Sequence, residues 1–468
     1  MQNLEIEINT IVQRVLTQLE QTPSHSNGAS LSYRGVFSQI ESAMAAVETA
    51  QRRFNRVSLA QRKNIIQAIR KVSIDKAQEM AEMVVEETGM GRVADKVLKH
   101  MLVAEKTPGP EFLNPDAYVG DDGLMIEECA PFGLILSITP VTNPTATIIN
   151  NTISMLSAGN TVFFAPHPNA LNCSLKMIDL INEAIEKVGG PPNLVVAMDV
   201  ATIELVGRLM KHPKIALLSV TGGTGVVDVA LESGKRAIGA AAGNPPVLVD
   251  DTADPEKAAR DIVAGHSFDN NMPCTSEKEV VVTEGIADRL MEAFTHANAL
   301  VLDPKLLPQL EAVVLNEKQT GPNRKFIGKN ACVILKEIGI QADDDLRTIV
   351  VEVDKEHPFA RHELMMPVLA VVRVRDFAAA VDLAVEMEEG LHHSAIIHSA
   401  NIYHMSEFGK AINTTLYVKN APSYAGLGMG GEGYTSFTIA GRTGEGMTTC
   451  RTFTRFRRCS LVGAFSSV

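Results

Sequence analysis

Apolar residues recur at two spacings along this chain, and the change from one to the other divides it. Leu4, Ile8, Ile11, Val12, Val15, Leu16 and Leu19 stand at i, i+3 and i+4, with Glu5, Gln13, Arg14 and Gln18 around the rest of the turn. That pattern predicts an amphipathic helix over residues 1–20. Residues 21–34 are polar and rich in Ser, Pro and Gly, which predicts a flexible linker with little to bury. Helical periodicity then dominates 38–106. Beyond it, apolar runs alternate with amphipathic stretches. Gly133-Leu-Ile-Leu-Ser-Ile138, Thr161-Val-Phe-Phe164, Asn193-Leu-Val-Val-Ala197, Ile215-Ala-Leu-Leu-Ser-Val220 and Pro246-Val-Leu-Val249 read as strands, the first four followed by helices near 144–158, 170–188, 201–211 and 224–233.

Strands alternating with helices imply a parallel sheet covered on both faces, so this part predicts a Rossmann-like α/β lobe. A second alternating set begins near 254: a helix over Pro255 to Gly265, a strand over Glu279 to Thr283 and a helix over Ala287 to Ala299. It continues in strands over Val368 to Val374, Ser394 to Ile397 and Leu416 to Val418. Tyr118 to Cys129, with Gly-Asp-Asp-Gly at its centre, predicts a hairpin, and Arg451 to Cys459 alternates like an edge strand. The expected architecture is a two-lobed α/β fold. Its first lobe spans 35–117 and 130–245 and its second 246–440. The segments 118–129 and 441–468 form a small β element that pairs between subunits of a homo-oligomer.

The bulk properties narrow the function. A chain of 468 residues exceeds one simple core, and 45% hydrophobic with 21% charged residues is ordinary globular composition. A net charge of −12 argues against nucleic acid and anionic membranes as partners. No apolar run reaches the roughly 18 residues that span a bilayer, and no secretory pattern opens the chain, so the expected compartment is the cytoplasm. The six cysteines (Cys129, Cys173, Cys274, Cys332, Cys450, Cys459) have neither CxxC nor zinc-type Cys/His spacing. They read as free thiols, and no metal site is expected.

Three segments carry candidate chemistry. Val220-Thr-Gly-Gly-Thr-Gly225 follows a buried-type strand and opens a helix whose free N–H groups suit a phosphate or ribose, although glycine in any βα turn has the same look. Ser267-Phe-Asp-Asn-Asn-Met-Pro-Cys274 is a polar loop between helix and strand, where a thiol can reach a cleft; a lone cysteine is as readily a small buried hydrophobe. Cys459, beside Arg455, Arg457 and Arg458, is a rival thiol in the tail. In Thr139-Pro-Val-Thr-Asn-Pro144, Asn143 offers an amide to a developing oxyanion and equally serves as a helix cap before proline.

In this order the segments resemble the aldehyde dehydrogenase superfamily over almost the whole chain after residue 35. The Asn loop of that family resembles Thr139 to Pro144, its Gly-Asn strand entry Gly159-Asn160, its nucleotide turn Thr221-Gly222-Gly223, and its nucleophile loop the segment ending in Cys274. Its Glu-x-x-x-Pro motif resembles Glu363-Leu-Met-Met-Pro367, and a later glycine-rich segment resembles Gly426 to Gly433. The resemblance implies Cys274 as nucleophile and Asn143, with the Cys274 N–H, as oxyanion donors. It makes the first lobe nucleotide-binding and the second catalytic. Thr139, Pro140, Ala165, Pro166, His167, Thr221, Gly222, Gly223 and Glu363 become the nicotinamide-cofactor contacts.

Departures from the common pattern set the subclass. Hydrolytic members carry Glu-Leu-Gly-Gly-Lys, whose glutamate activates water, whereas this chain reads Ala240-Ala-Ala-Gly-Asn244. That segment, with His392-His393-Ser-Ala-Ile-Ile-His398, is similar to the CoA-acylating propionaldehyde and acetaldehyde dehydrogenases of bacterial microcompartments. The resemblance implies coenzyme A as acyl acceptor; His392 and His393, after Gly390 and before a strand, can sit near the cleft as an acid/base beside its thiol, or both can be structural. Met272-Pro-Cys274 and Ala421-Pro-Ser-Tyr424 favour propionaldehyde. Ala165 and Pro168 supply neither acid nor base to choose between NAD and NADP; NAD is the expected cofactor. Residues 1–20 resemble the encapsulation peptides that dock on microcompartment shell proteins, which implies a place inside such a compartment. A hydrolytic dehydrogenase and a non-catalytic cargo or scaffold protein are the alternatives.

Overall fold

The structure, a computed structural model, describes residues 33–463. The helix expected over 1–20 and nearly all of the linker lie outside the described residues. Residues 40–106 form four helices, Ile40–Phe54, Leu59–Asp75, Ala77–Thr88 and Val93–Lys106. The second starts where the Ser58 hydroxyl accepts from Gln61 N at 3.2 Å, and the third stops at Gly89, whose φ of +66° any side chain would strain.

The first sheet has six parallel strands in the order Val36–Phe37, Val195–Met198, Thr161–Ala165, Leu134–Ile138, Ile215–Thr221, Ala237–Ala240. From Leu134–Ile138 the chain proceeds outward on one side and then returns to add strands on the other. The order therefore reverses between Leu134–Ile138 and Ile215–Thr221, and ligands of such sheets bind outside the carboxyl ends at that crevice. The second sheet has seven parallel strands, in the order Ala299–Val301, Thr348–Glu352, Val368–Val374, Glu279–Thr283, Pro246–Val249, Ser394–His398, Leu416–Lys419. Period-two alternation divides its core: Leu248 and Val281 pack on one face, Val247, Val249, Val280 and Val282 on the other. Near-continuous Val/Leu/Ile runs are what a sheet covered on both faces requires.

Most predicted strands fall within two residues of their observed bounds, and Glu279–Thr283 and Val368–Val374 coincide with them. Pro246–Val249, which follows the first run of strands in the chain, lies in the middle of the second sheet, on the second-lobe side of the expected boundary at 245/246. The hairpin, observed as Asp116–Gly120 and Gly123–Pro131, takes the tail strand Thr454–Val462 as an antiparallel third strand of the same chain. In this small sheet Gly123–Pro131 is central, and Thr454–Val462 and Asp116–Gly120 are its two edge strands.

Candidate active site

Three loops leave adjacent carboxyl ends of the first sheet. Thr139 continues Leu134–Ile138, Pro166 continues Thr161–Ala165, and Gly222 follows Ile215–Thr221, with Ile138 paired to both Ala165 and Val220. These are the predicted cofactor positions, and the sheet brings them together at its switch point. Thr139 N donates to Ala165 O at 3.2 Å, while the buried Thr139 hydroxyl has no protein partner among the described residues. Pro140 and His167 are half-buried, Ala165 and Pro166 buried. His167 Nδ1 accepts from Asn169 N at 3.1 Å, and burial lowers the pKa of its ring. Thr221 Oγ1 meets Thr438 Oγ1 at 3.0 Å, and Gly222 N donates to Ala240 O at 3.1 Å. Gly223 begins the helix Thr224–Leu231 without a side-chain cap, and Gly223, Thr224 and Gly225 are exposed. Helix-end amides left open in this way suit an anionic or ribosyl group.

Cys274 follows a short turn, Phe268–Asn271, in which Asp269, Asn270 and Asn271 take φ of 48°, 55° and 65°. Asp and Asn are the non-glycine residues that best tolerate this left-handed region, and here each is held by its side chain. Asp269 N donates to Asp95 Oδ2 at 2.9 Å, and the Asp269 carboxylate accepts from Arg92 N at 2.8 Å, Lys96 Nζ at 2.9 Å and Lys99 Nζ. Asn270 bonds Arg92, Gly328 O and Asn330. Asn271 donates to His266 O and Glu277 O and accepts from Lys278 Nζ at 2.6 Å. Lys278 also pairs with Glu363 Oε1 at 3.3 Å.

Burial pushes the Cys274 thiol up to about 12 and the charge of Glu363 adds to the rise, while Lys278, its own backbone N–H and Lys99 pull the other way. The cysteine packs beside Met429, Phe437 and Met447 against a buried cluster of Leu102, Leu416, Leu427 and Ile439. A Cβ on Gly243 would come 2.7 Å from His393 Cγ and 3.1 Å from the Cys274 carbonyl oxygen. Gly243, the last residue of the Ala240 to Gly243 segment, therefore lies beside the Cys274 loop and His393. His393 is buried; its Nδ1 meets Ser394 Oγ at 2.8 Å and its Nε2 has no partner among the described residues. Burial, helped by Lys278, pushes it down to about 4. His392 is exposed and turns its Nδ1 to Asn413 O at 2.9 Å. The two histidines, equivalent in the sequence, differ in place. Cys459 is exposed on the tail strand, within the three-stranded sheet.

Asn143 precedes the helix Pro144–Ser157 but its side chain makes no cap bond; instead its Oδ1 accepts from Lys99 Nζ. Among the described residues no group of three or more His, Cys, Asp or Glu could hold a metal ion, and no helix is long and apolar enough to cross a membrane.

The model of the aldehyde dehydrogenase family matches residues 23–454. The chain belongs to the aldehyde dehydrogenase family. This aldehyde dehydrogenase is 46% identical over 467 residues to EutE, an acetaldehyde dehydrogenase (acetylating) of Escherichia coli strain K12, with 99% of both chains covered. Its fold superposes on a propionaldehyde dehydrogenase from the fucose-utilisation microcompartment of Clostridium phytofermentans with a TM-score of 0.91, at 48% identity over 93% of this chain and 100% of that one. It also matches the propionaldehyde dehydrogenase of Rhodopseudomonas palustris, solved with bound CoA and an acylated cysteine, with a TM-score of 0.90 at 48% identity, over 92% and 98% of the two chains.

Several residues of this aldehyde dehydrogenase site escaped the sequence reading. Asp95, Lys96, Lys99 and His100 occupy the buried face of Val93–Lys106, where periodicity would place apolar side chains. His100 Nε2 meets Thr145 Oγ1 at 2.6 Å, and Lys106 Nζ donates to Gly428 O at 2.5 Å and Gly431 O at 3.1 Å. One helix thus ties the Asn143 loop, the Cys274 loop and the glycine-rich segment together. The available signal was Asp-Asn-Asn at 269–271, a run of the side chains that tolerate left-handed backbone.

Proposed function

We propose that this chain is an NAD-dependent, CoA-acylating aldehyde dehydrogenase that converts propionaldehyde, through a thioester on Cys274, to propionyl-CoA. The observation that carries this reading is the contact of Gly243 with both the Cys274 carbonyl and His393. Gly243 closes the carboxylate-free run Ala240-Ala-Ala-Gly, the segment that in the hydrolytic pattern carries the base, and this proximity supports reading the run as lying near the nucleophile.

The roles on this reading are as follows. Cys274 attacks the aldehyde carbon as a thiolate, and the oxyanion is held by the Asn143 NH₂ and the Cys274 N–H. When bound, the nicotinamide supplies the hydride acceptor that turns the adduct into a thioester. Thr139, Pro140, Ala165, Pro166, His167 and Thr221 to Gly223 would hold that cofactor, with Glu363 on its ribose; the unpartnered Thr139 hydroxyl and the uncapped turn at Gly223 fit such a group. The apolar side chains around Cys274 suit a short alkyl chain. Water finds no base on the 240–243 run. The thiol of CoA, with an ordinary pKa of ~8.5, needs little assistance. Neutral His393, with a free Nε2, takes the thiol proton as the CoA sulfur bonds the acyl carbon and the Cys274 thiolate leaves. His392, engaged with Asn413 at the surface, has no part in this.

The domain roles follow the same reading: 35–117 with 130–245 bind nucleotide, and 246–440 carry the nucleophile. The outer edges of the three-stranded sheet, with Tyr118, Val119 and Phe456 exposed, would join subunits of a homo-oligomer. Residues 1–20 would address the enzyme to shell proteins of a cytoplasmic microcompartment, as the origin of one structural relative supports. Rapid mixing with NAD and propionaldehyde tests the central reading. One equivalent of NADH per active site, followed by turnover only when CoA is added, is expected; continuous turnover without CoA would reject it.

A further inference from the structure

We infer that Lys99 is a positioning residue of the acylation step, holding the Asn143 amide by its oxygen so that the NH₂ is the group presented to the oxyanion. The inference rests on the reading of Asn143 as oxyanion donor and adds what sets its orientation. An asparagine amide can be turned either way, and at a helix start its oxygen ordinarily accepts from the helix's own N–H groups. Here it makes no such bond. Its oxygen is diverted to Lys99, and an ammonium has hydrogens only to give, so the oxygen must face Lys99 and the NH₂ must face away. The NH₂ has a single weak contact, to Thr142 Oγ1 at 3.3 Å, which leaves donor capacity free. Donation by a cation to the amide oxygen also polarises the N–H bonds and strengthens them as donors.

The neighbouring charges separate this role from a merely structural one. Asp269 already has Lys96 at 2.9 Å, and one lysine is enough to neutralise one buried carboxylate. Lys99 is the second cation on the same oxygen, is itself 2% exposed, and differs from Lys96 in its contact with Asn143. Burial pushes Lys99 down to about 8, with the attraction of Asp269 opposing the fall, so the ammonium is retained at neutral pH. Because Asp269 stands five residues before Cys274, Lys99 also fixes the Asn143 loop against the nucleophile loop.

The test uses two reactions of the Cys274 thiol that need no nicotinamide. p-Nitrophenyl propionate acylates it through an oxyanion, with nitrophenolate as leaving group; iodoacetamide alkylates it by displacement of iodide, with no oxyanion. Both depend on the same thiolate, so the ratio of acylation to alkylation rates isolates oxyanion stabilisation. Asn143→Ala should lower the ratio by roughly 10²–10³-fold and Lys99→Met by roughly 10–10²-fold, the range of a lost or misaligned donor. The double variant should be no worse than Asn143→Ala, and Lys99→Gln, which keeps an N–H donor, should recover part of the loss. Lys96→Met should slow both reactions together and leave the ratio within about twofold. A full further loss from Lys99→Met in the Asn143→Ala background, or an unchanged ratio in Lys99→Met, overturns the inference. An unchanged ratio in Asn143→Ala overturns the oxyanion reading itself. If Lys99→Met does not fold, Lys99→Gln completes the same cycle, with partial loss of the ratio expected in wild-type background and none in Asn143→Ala.

Discussion

The loop that ends in Cys274 leads from a helix into the amino end of Glu279–Thr283, the turn at Thr221 to Gly225 leaves the carboxyl end of Ile215–Thr221, and the two are built in opposite ways. From Ser267 to Pro273 the nucleophile loop is buried, three successive residues have positive φ, Asp269 and Asn270 are bonded to helices and loops distant in sequence, and Asn271 ties back to His266, Glu277 and Lys278. The turn at Gly223 is exposed, lacks a side-chain cap, and has open space where a Cβ would stand at Gly223 and Gly225. On the proposed reading, the loop in which the covalent bond is made is over-determined, since a reacting atom must be held to fractions of an ångström, and the surface that takes up and releases a dinucleotide is left with free donors.

The contrast is broken most severely at its centre. Cys274→Ala should abolish NADH formation with or without CoA, a loss of roughly 10⁴-fold or more, while the far-UV spectrum is kept; steady-state rates and circular dichroism check both. Cys459→Ala, on the exposed tail strand, should retain most activity. Asp269→Asn tests whether the loop is held by its charges. It leaves Lys96 and Lys99 buried without their carboxylate, for which about 3–5 kcal/mol of destabilisation is expected. Urea unfolding would read it, and a midpoint equal to wild type would contradict the role given to Asp269.

Titration follows from the same buried groups. His100, His266 and His398 are pushed down to about 3 and His393 to about 4, by burial above all. Each is neutral in the fold, so its contribution is present above its unfolded pKa of 6.5 and is lost as pH falls from there. Burial raises Glu277, to about 7, and also Glu279 and Glu388, so the fold gains protons the unfolded chain lacks; their contribution rises as pH falls to about 4.5. The two sets oppose one another between pH 6.5 and 4.5. Below 4.5 the histidines act unopposed, and Asp269, which Lys96 and Lys99 hold low against the effect of burial, adds to the loss. Stability should therefore fall more steeply below pH 4.5 than above it, by about 1.4 kcal/mol per pH unit for each of His100, His266 and His398. Thermal midpoints across pH 3–8 check this.

The smallest effect is expected at the open turn. Gly223→Asp supplies the missing cap and should stabilise the helix by a few tenths of a kcal/mol. It should also raise the KM for NAD severalfold by placing a carboxylate where the cofactor binds. A stability gain without a change in KM would remove Gly223 from the cofactor site.

What the sequence disclosed tracks how local each feature is. Glu279–Thr283 and Val368–Val374 were legible because each is a short Val-rich run bounded by polar residues. Val36–Phe37, Ala237–Ala240 and Thr348–Glu352 were not assigned; the first is only two residues long and the second, Ala-Ile-Gly-Ala, carries little strand preference, although Thr348-Ile-Val-Val was a signal that could have been used. Cys274 and Asn143 were reached by motif order. Lys99, Lys96 and Asp269 are identified only by burial, because a lysine on a helix face looks solvated until the fold closes over it. His392 and His393 are adjacent and identical in type, and only the backbone at His392, with φ of 54°, separates the exposed ring from the buried one.

The central claim is that the acyl group on Cys274 goes to a thiol and not to water. The direct measurement is the product of the wild-type enzyme turning over NAD and propionaldehyde with saturating CoA in heavy-oxygen water, analysed by mass spectrometry beside Ala240→Glu. Wild type should yield propionyl-CoA with almost no labelled propionate, and Ala240→Glu should release labelled propionate without CoA. Labelled propionate as the main wild-type product would contradict the account.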